Sequence, residues 1–263
     1  MNRIDYTFKE LKRVRKKAFI AFITAGDPNL RITEQLVLEF ERCGVDIVEL
    51  GVPFSDPLAD GPTIQASSQR SLEKGTNLSK IFTTVRHIRQ KSQIPIALMT
   101  YYNPVFYYGE ERFIRDAKRC GVDGVIIPDL PPEEARAMIR LAKINGLATV
   151  FFLAPTTTRQ RIKTVVKAST GFVYYVSLTG VTGAQKMFSK NNLVNIRTAK
   201  RLADKPVCVG FGVSTSAQVK AVARMADGVI VGSAIVKQIE KNKGKPSLVK
   251  NVSRFVQSLT QNL

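Results

Sequence analysis

Histidine is almost absent from this chain: His87 is the only one among 263 residues, and it stands beside Arg86 off the apolar face of a helical pattern. A serine or cysteine nucleophile usually needs a neighbouring base such as histidine, so this composition argues against a Ser–His or Cys–His mechanism. HExxH, P-loop and dinucleotide-binding motifs are absent as well. We therefore expect carboxylate chemistry, with no metal and no cofactor of the chain's own.

Cysteine is also scarce, and long apolar runs are missing. Cys43, Cys120 and Cys208 are odd in number, far apart and without CxxC spacing, which is typical of a reduced cytosolic protein. No run approaches the roughly 18 apolar residues that a membrane helix needs. The apolar run 18–23 follows a basic segment as in a signal peptide, but it ends at the turn formed by 26–28, so we predict a first strand. These features predict a cytoplasmic location.

Acidic residues are few, since 40 Lys and Arg stand against 21 Asp and Glu and give a net charge of +19. Such an excess favours acidic partners such as phosphates or nucleic acid. The basic residues are scattered along the chain, however, with no basic tail or known reader motif, so we expect no nucleic-acid and no membrane partner. A nucleic-acid binder is the distant alternative, which salt-sensitive DNA retention without an aromatic pocket would favour.

Short apolar runs alternate with amphipathic helical segments from end to end, which predicts βα units with parallel pairing. With no linker or low-complexity tract, we expect one α/β domain over 1–263, a (β/α)8 TIM barrel with an added N-terminal helix near 2–14. An open doubly wound sheet is the second possibility. The predicted strands are 18–23, 45–51, 96–101, 124–128, 148–153, 172–177, 206–210 and 228–231.

An internal repeat supports the barrel. The segment 42–48, Arg-Cys-Gly-Val-Asp-Ile-Val, recurs at 119–125 as Arg-Cys-Gly-Val-Asp-Gly-Val, with a looser copy at 224–230. Gly44 and Gly121 stand where a helix should end, and a strand follows each directly. Repeated helix–Gly–strand units are what such a barrel requires.

The polar residues at the strand ends are the candidates for chemistry, because barrel sites lie at the C-terminal ends of the strands. Glu49 is a carboxylate in an otherwise apolar strand end, where desolvation would raise its pKa toward neutrality and suit a general acid or base. The following loop, 53–62, contains three prolines and the carboxylates Asp56 and Asp60. Either could reach over the barrel mouth, or serve only to shape the turn and the helix start.

Two glycine-bearing turns follow the last two predicted strands, Gly210-Phe211-Gly212 and Gly232-Ser233. Glycine lets backbone N–H groups approach an anion, and a helix N-terminus adds a favourable dipole, so we predict a phosphate site there. The small, glycine-rich segment 178–184 could form a lid. Tyr101 at the end of predicted strand three and Tyr174 in predicted strand six could line a pocket, although core packing is the ordinary role of such residues.

The motifs, taken together and in order, resemble the tryptophan synthase α-chain family over nearly the whole chain. The similar segments are 22–28 (FITAGDP), 49–57 (ELGVPFSDP) with 59–62 (ADGP), 101–104 (YYNP), 180–183 (GVTG), 210–212 (GFG) and 231–234 (VGSA). The strand-two motif is long and highly specific. The strong positive charge and the lysine-rich C-terminal region are unusual for the family.

The resemblance implies a lyase that splits indole-3-glycerol phosphate into indole and glyceraldehyde 3-phosphate in L-tryptophan biosynthesis. It assigns Glu49 as the acid/base and Asp60 as the partner of the indole N–H. It further implies a pyridoxal-phosphate β subunit as partner in an αββα complex, with the cofactor in that partner. The implied substrate-binding residues are Phe22, Tyr101, Tyr174, Thr182, Gly183, Phe211, Gly212, Gly232 and Ser233.

Two other functions stay open at this point: another phosphate-binding barrel isomerase or synthase, and a non-catalytic barrel that only activates a β subunit. The first would lack one indole-sized pocket flanked by Glu49 and Asp60. The second would lack cleavage activity of its own.

Overall fold

A parallel sheet surrounded by helices forms the framework of the computed structural model, which describes residues 2–176, 190–210, 212–261 and 263. All eight strand pairings are parallel, in the order β5-β4-β3-β2-β1-β9-β8-β7-β6. The strands are β1 (Ala18–Thr24), β2 (Ile47–Gly51), β3 (Ile96–Met99), β4 (Gly124–Ile126), β5 (Ala148–Val150), β6 (Phe152–Leu153), β7 (Val173–Val176), β8 (Val207–Gly210) and β9 (Gly228–Val231).

The two ends of this strand order are joined by the chain itself. Only Phe151 separates β5, which pairs with β4, from β6, which pairs with β7. The backbone N–H of Tyr174 donates to the carbonyl of Phe151 at 3.1 Å across this junction. The sheet therefore closes into the predicted (β/α)8 barrel, and the open sheet is excluded. The predicted strand 148–153 is in fact two short segments, because one stretch of chain must turn between its two neighbours.

Local signals start and end the surrounding helices where the sequence places them. The side chains of Asn29 and Asn77 accept hydrogen bonds from backbone N–H groups three residues on and so cap α2 and α4. The glycine that ends α6, Gly121, has a φ of 100°, which side chains disfavour. The helices are α1 (Arg3–Arg13), α2 (Leu30–Arg42), α3 (Pro62–Glu73), α4 (Leu78–Arg89), α5 (Tyr102–Tyr108), α6 (Glu110–Cys120), α7 (Arg136–Ile144), α8 (Arg159–Ala168), α9 (Lys190–Leu202), α10 (Ser216–Ala223), α11 (Ser233–Asn242) and α12 (Leu248–Thr260).

Two large apolar cores hold the barrel together, and a third, small cluster contains Phe22, Ile64 and Val236. The larger core fills the space between the strands and the helices, and a smaller one fills the barrel interior. The predicted N-terminal helix is α1, which contributes Ile4 and Phe8 to the interior core. The ring of Phe8 lies 5.8 Å from that of Phe172, centre to centre. Helix α1 therefore packs against the inside of the barrel, so it belongs to the fold and is not a detachable tail.

Three predicted strand limits are wrong by two residues: β2 begins at Ile47 and not at 45, β4 ends at Ile126 and not at 128, and β3 ends before 101. Strand β3 ends at Met99, two residues before Tyr101, and Tyr101 precedes helix α5. Pro104 lies in the first turn of α5, where a missing N–H has no cost, so this segment continues as a helix instead of a strand. Among the helices that the structure describes, none is long and apolar enough to cross a membrane.

Candidate active site

Glu49 lies in the middle of β2 and points into the barrel. Side chains alternate between the two faces of a strand. Ile47 belongs to the interior core, whereas Val48 and Leu50 belong to the outer one, so Glu49 faces inward with Ile47. In register, it stands beside Phe22 of β1. Strand β2 therefore places one carboxyl group, that of Glu49, in the apolar interior of the barrel.

The environment of Glu49 strongly favours its neutral form. Its side chain is fully buried, and neither carboxyl oxygen has a hydrogen-bond partner among the described residues. Burial without a compensating partner raises the pKa of Glu49 from 4.5 to about 8. At neutral pH the group is therefore a carboxylic acid, with a proton to donate.

Asp60 lies at the end of the loop after β2, one residue before Gly61, which precedes α3. Burial raises the pKa of Asp60 to about 6, and a hydrogen bond from Tyr101 partly opposes this. The Tyr101 hydroxyl donates to Asp60 Oδ2 at 3.1 Å and accepts from the backbone N–H of Ala59 at 2.9 Å. Tyr101 thus holds both the backbone of Ala59 and the carboxylate of Asp60, and Asp60 is ionised at neutral pH.

A cavity of about 390 Å³ opens beside these groups at the C-terminal ends of the strands. Of the predicted site residues, it is lined by Phe22, Asp60, Tyr174, Gly212, Gly232 and Ser233. Tyr101 does not line the cavity, but it donates a hydrogen bond to Asp60, which does. Glu49 is likewise not part of the lining. Burial is the main cause that raises the pKa of Tyr174, and the charges that Glu49 and Asp60 carry at alkaline pH raise it further. Phe22 links the buried carboxyl group with the cavity wall, because it lines the cavity and stands beside Glu49 in register.

The aromatic walls depend on two glycines at strand ends. A Cβ atom on Gly51 would lie 2.6 Å from the ring of Phe22, and one on Gly210 would lie 2.6 Å from the hydroxyl of Tyr174. Both distances are far shorter than a van der Waals contact, and both neighbours belong to buried aromatic side chains in a packed interior. Glycine at these positions lets the two rings lie flat against the strand ends.

Helix α11 points its N-terminus at the same cavity. Gly232 precedes the helix, and no side chain of the described residues caps it. The N–H groups of Ile235 and Val236 bond to the carbonyl of Gly232, whereas the N–H groups of the first helical residues have no intrahelical acceptor. Together with the helix dipole, these free donors favour a negatively charged group at this end of the cavity, where the glycine pattern predicts a phosphate.

Several residues fall outside the prediction or outside the described part of the chain. The predicted substrate residues Thr182, Gly183 and Phe211, and the predicted lid, lie outside the described residues. The lining also includes Val213, Ser214 and Ala234, which continue the two predicted glycine-bearing turns. The sequence carried no signal for the other lining residues, among them Ile64, Met99, Ile230, Lys237, Gln238, Lys241 and Phe255. Across residues 2–176, 190–210, 212–261 and 263, no three or more His, Cys, Asp or Glu side chains are grouped to hold a metal ion.

The remaining predicted polar residues lie on the surface. His87 is 56% exposed, and its Nδ1 lies 3.9 Å from a carboxylate oxygen of Glu34, so it takes no part in the cavity. Asp56 is exposed on the loop after β2, and neighbouring Leu58 is 93% exposed. The arrangement thus places an ionised carboxylate on an apolar pocket, a neutral acid beside Phe22 in the barrel interior, and an uncapped helix N-terminus at the rim of the pocket.

Comparison with known proteins shows the same architecture over the whole chain. The tryptophan synthase alpha chain family model matches residues 8–263. The tryptophan synthase alpha chain of Geotalea daltonii is 53% identical over 245 residues, which is 93% of each chain. That of Geobacter sulfurreducens is 51% identical over 261 residues, covering 99% of this chain and 98% of the relative.

Solved structures agree with the sequence relatives. The alpha subunit from Legionella pneumophila superposes with a TM-score of 0.90 at 36% identity, covering 100% of this chain and 98% of that one. A chain of the tryptophan synthase α2β2 complex of Pyrococcus furiosus superposes with a TM-score of 0.86 at 41% identity, covering 93% and 98%. With the barrel and the pocket already defined, these matches show that the chain belongs to the tryptophan synthase alpha chain family.

Proposed function

We propose that Glu49 and Asp60 carry the reaction of this family, the retro-aldol cleavage of indole-3-glycerol phosphate to indole and glyceraldehyde 3-phosphate. The observation that carries the proposal is the pair of carboxyl groups with separated pKa values, about 8 for Glu49 and about 6 for Asp60. At a pH between these two pKa values, Glu49 is a neutral acid and Asp60 is an anion. Such separation is the usual basis for assigning acid and base roles.

The cleavage needs an electron sink, and protonation of the indole ring provides it. Glu49 donates its proton to the ring carbon that bears the glycerol chain, which leaves a cationic ring nitrogen. Asp60 accepts the N–H of this nitrogen and stabilises the positive charge. Glu49, now a carboxylate, takes the proton of the adjacent glycerol hydroxyl as the carbon–carbon bond breaks. The bonding electrons return to the ring, the aldehyde forms, and Glu49 regains its proton.

The rest of the pocket positions the substrate. Phe22 and Tyr174 form apolar walls for the indole ring, and Tyr101 holds Asp60 ionised and in place. Gly212, Gly232 and Ser233 surround the phosphate at the N-terminus of α11. Thr182, Gly183 and Phe211 are assigned to the lid and to the same phosphate and pocket functions by family resemblance alone.

A β chain is the proposed partner, in an α2β2 heterotetramer, with pyridoxal phosphate bound only to that chain. Leu58 is 93% exposed, and on the segment after β3 Phe106 and Tyr107 are 68% and 93% exposed. The segments after β2 and β3 lie side by side at the C-terminal face, so they offer apolar area beside exposed Asp56 for docking. Docking there would place the partner directly above Asp60.

We further propose that residues 1–263 act as one barrel domain in the cytoplasm. Helix α1 contributes to the interior core, and the three cysteines are free, as expected in a reducing compartment.

The decisive experiment measures indole release from indole-3-glycerol phosphate by the purified chain, with and without the β chain. Release by the chain alone, stimulated on mixing, supports both proposals. Stimulation of the β chain by an α chain that releases no indole would instead identify a regulatory barrel. Asp56→Ala should weaken mutual stimulation but leave the isolated activity intact. Asp204→Ala, at an exposed residue before β8, serves as the charge-matched control.

A further inference from the structure

The charges around the cavity are unevenly distributed. Among the described lining residues, only Asp60, Lys237 and Lys241 carry a formal charge. Asp60 lies where α3 begins, whereas both lysines lie on α11, the helix whose N-terminus faces the cavity. A substrate with an uncharged ring at one end and a phosphate dianion at the other is therefore oriented by these charges. The reverse orientation would place the dianion beside the Asp60 carboxylate, which is repulsive.

Helix geometry directs one lysine toward the anion site. Ser233, Lys237 and Lys241 are spaced by four residues, so they share one face of α11. At about 1.5 Å of rise per residue, Lys237 lies about 6 Å along the axis from Ser233, and Lys241 about 12 Å. Side chains on a helix lean toward its N-terminus. The flexible four-carbon chain of Lys237 can therefore bring its ammonium group back to the first turn.

The charge of Lys237 is not used elsewhere in the described fold. Neither Lys237 nor Lys241 has a hydrogen bond or an ion pair with any residue whose position is described. The nearby carboxylate on the same helix, Glu240, is held by Arg70 at 3.0 Å, and Arg70 is anchored in turn by buried Asp27 at 2.7 Å. Since Glu240 is held in this way, it does not neutralise the lysines.

We propose that Lys237 binds and orients the substrate phosphate, adding a mobile positive charge to an anion site otherwise made of backbone N–H groups and a helix dipole. Lys241, one turn further away, attracts the phosphate at longer range without contacting it. This inference rests on the proposed function, because it takes the phosphate to lie at the N-terminus of α11. If Lys237 were only a solvated surface lysine, removing its charge would change phosphate binding no more than removing the charge of another lysine at the end of α11.

The test uses binding of glycerol 3-phosphate to the full-length chain, measured by calorimetry, so that it does not depend on catalysis. Lys237→Met should weaken binding about threefold to tenfold, the range for one partly exposed charge on a dianion. Lys237→Arg should retain it within about twofold. Lys243→Met, which removes the same charge at the end of α11 outside the cavity lining, is the matched control and should bind like the wild type.

Two further readouts separate phosphate binding from a structural effect. The wild-type affinity should fall more steeply with added salt than that of Lys237→Met, because salt screens an exposed ion pair. In the reverse condensation, Lys237→Met should raise the KM for glyceraldehyde 3-phosphate and leave the KM for indole unchanged.

The outcomes distinguish this inference from the proposed function. Equal binding by the Lys237→Met and Lys243→Met variants would overturn the role of Lys237 even if the chain cleaves its substrate normally. Lys237-dependent binding in a chain that releases no indole would uphold the role of Lys237 and remove the catalytic proposal instead.

Discussion

Replacing Glu49 by Gln should stabilise the isolated chain while removing its proposed acid. The carboxyl group has a pKa of about 8 when folded, against 4.5 without burial. The folded state holds this proton more tightly than the unfolded state. The contribution of Glu49 to the free energy of unfolding is therefore lost as pH rises from 4.5 through 8. The full loss is about 5 kcal/mol at about 1.36 kcal/mol per pKa unit, and about 3 kcal/mol of it is present at pH 7.

Glutamine has nearly the same shape and stays neutral, so it avoids this loss. Urea unfolding should show Glu49→Gln more stable than the wild type by about 2–3 kcal/mol at pH 7 and by less than about 1 kcal/mol at pH 5. Exposed Glu134, replaced by Gln, is the control and should change neither value. A stability difference that is absent at pH 7, or equal at both pH values, would refute the burial of an unpaired carboxyl group at this position.

The remaining predictions concern catalysis. The pH profile of kcat/KM should be bell-shaped with limbs near 6 and 8, because Asp60 must be ionised and Glu49 protonated; a flat profile across this range would contradict the assignment. Tyr101→Phe should move the acid limb upward, since the hydrogen bond from Tyr101 lowers the pKa of Asp60, whereas Tyr102→Phe should leave it in place. Asp60→Asn should cost about 2–4 kcal/mol of transition-state stabilisation, measured from kcat/KM. An unchanged rate would contradict the assignment of Asp60 as the partner of the indole nitrogen.

Much of the fold could be read from local patterns. The helix–Gly–strand repeats at Gly44 and Gly121 predict βα units. Both glycines have a positive φ, and a residue in this left-handed conformation ends a helix through local geometry alone. The inward carboxyl of Glu49 follows from its place in an apolar run. The break at Phe151 is different, because it arises from closing the barrel between two neighbouring strands, and no local signal marks it.

The site was less accessible to sequence reasoning where contacts link distant parts of the chain. Tyr101 supports Asp60 through a hydrogen bond across 41 residues, which no spacing rule describes. Lys237 has the sequence pattern of a solvated helix residue. Only its place in the cavity lining, one turn from Ser233, distinguishes it from the other lysines. The pKa values likewise depend on burial, which is a property of the packed structure.

The central claim is that Glu49 supplies the proton that allows the carbon–carbon bond to break. Single-turnover cleavage of indole-3-glycerol phosphate by the wild type and by Glu49→Gln, at pH 7 and saturating substrate, tests it most directly. Glycerol 3-phosphate binding by both proteins provides the control for an intact pocket. The account predicts that Glu49→Gln binds normally and forms no measurable indole. A rate within about tenfold of the wild type, corresponding to less than about 1.4 kcal/mol of barrier, would contradict it.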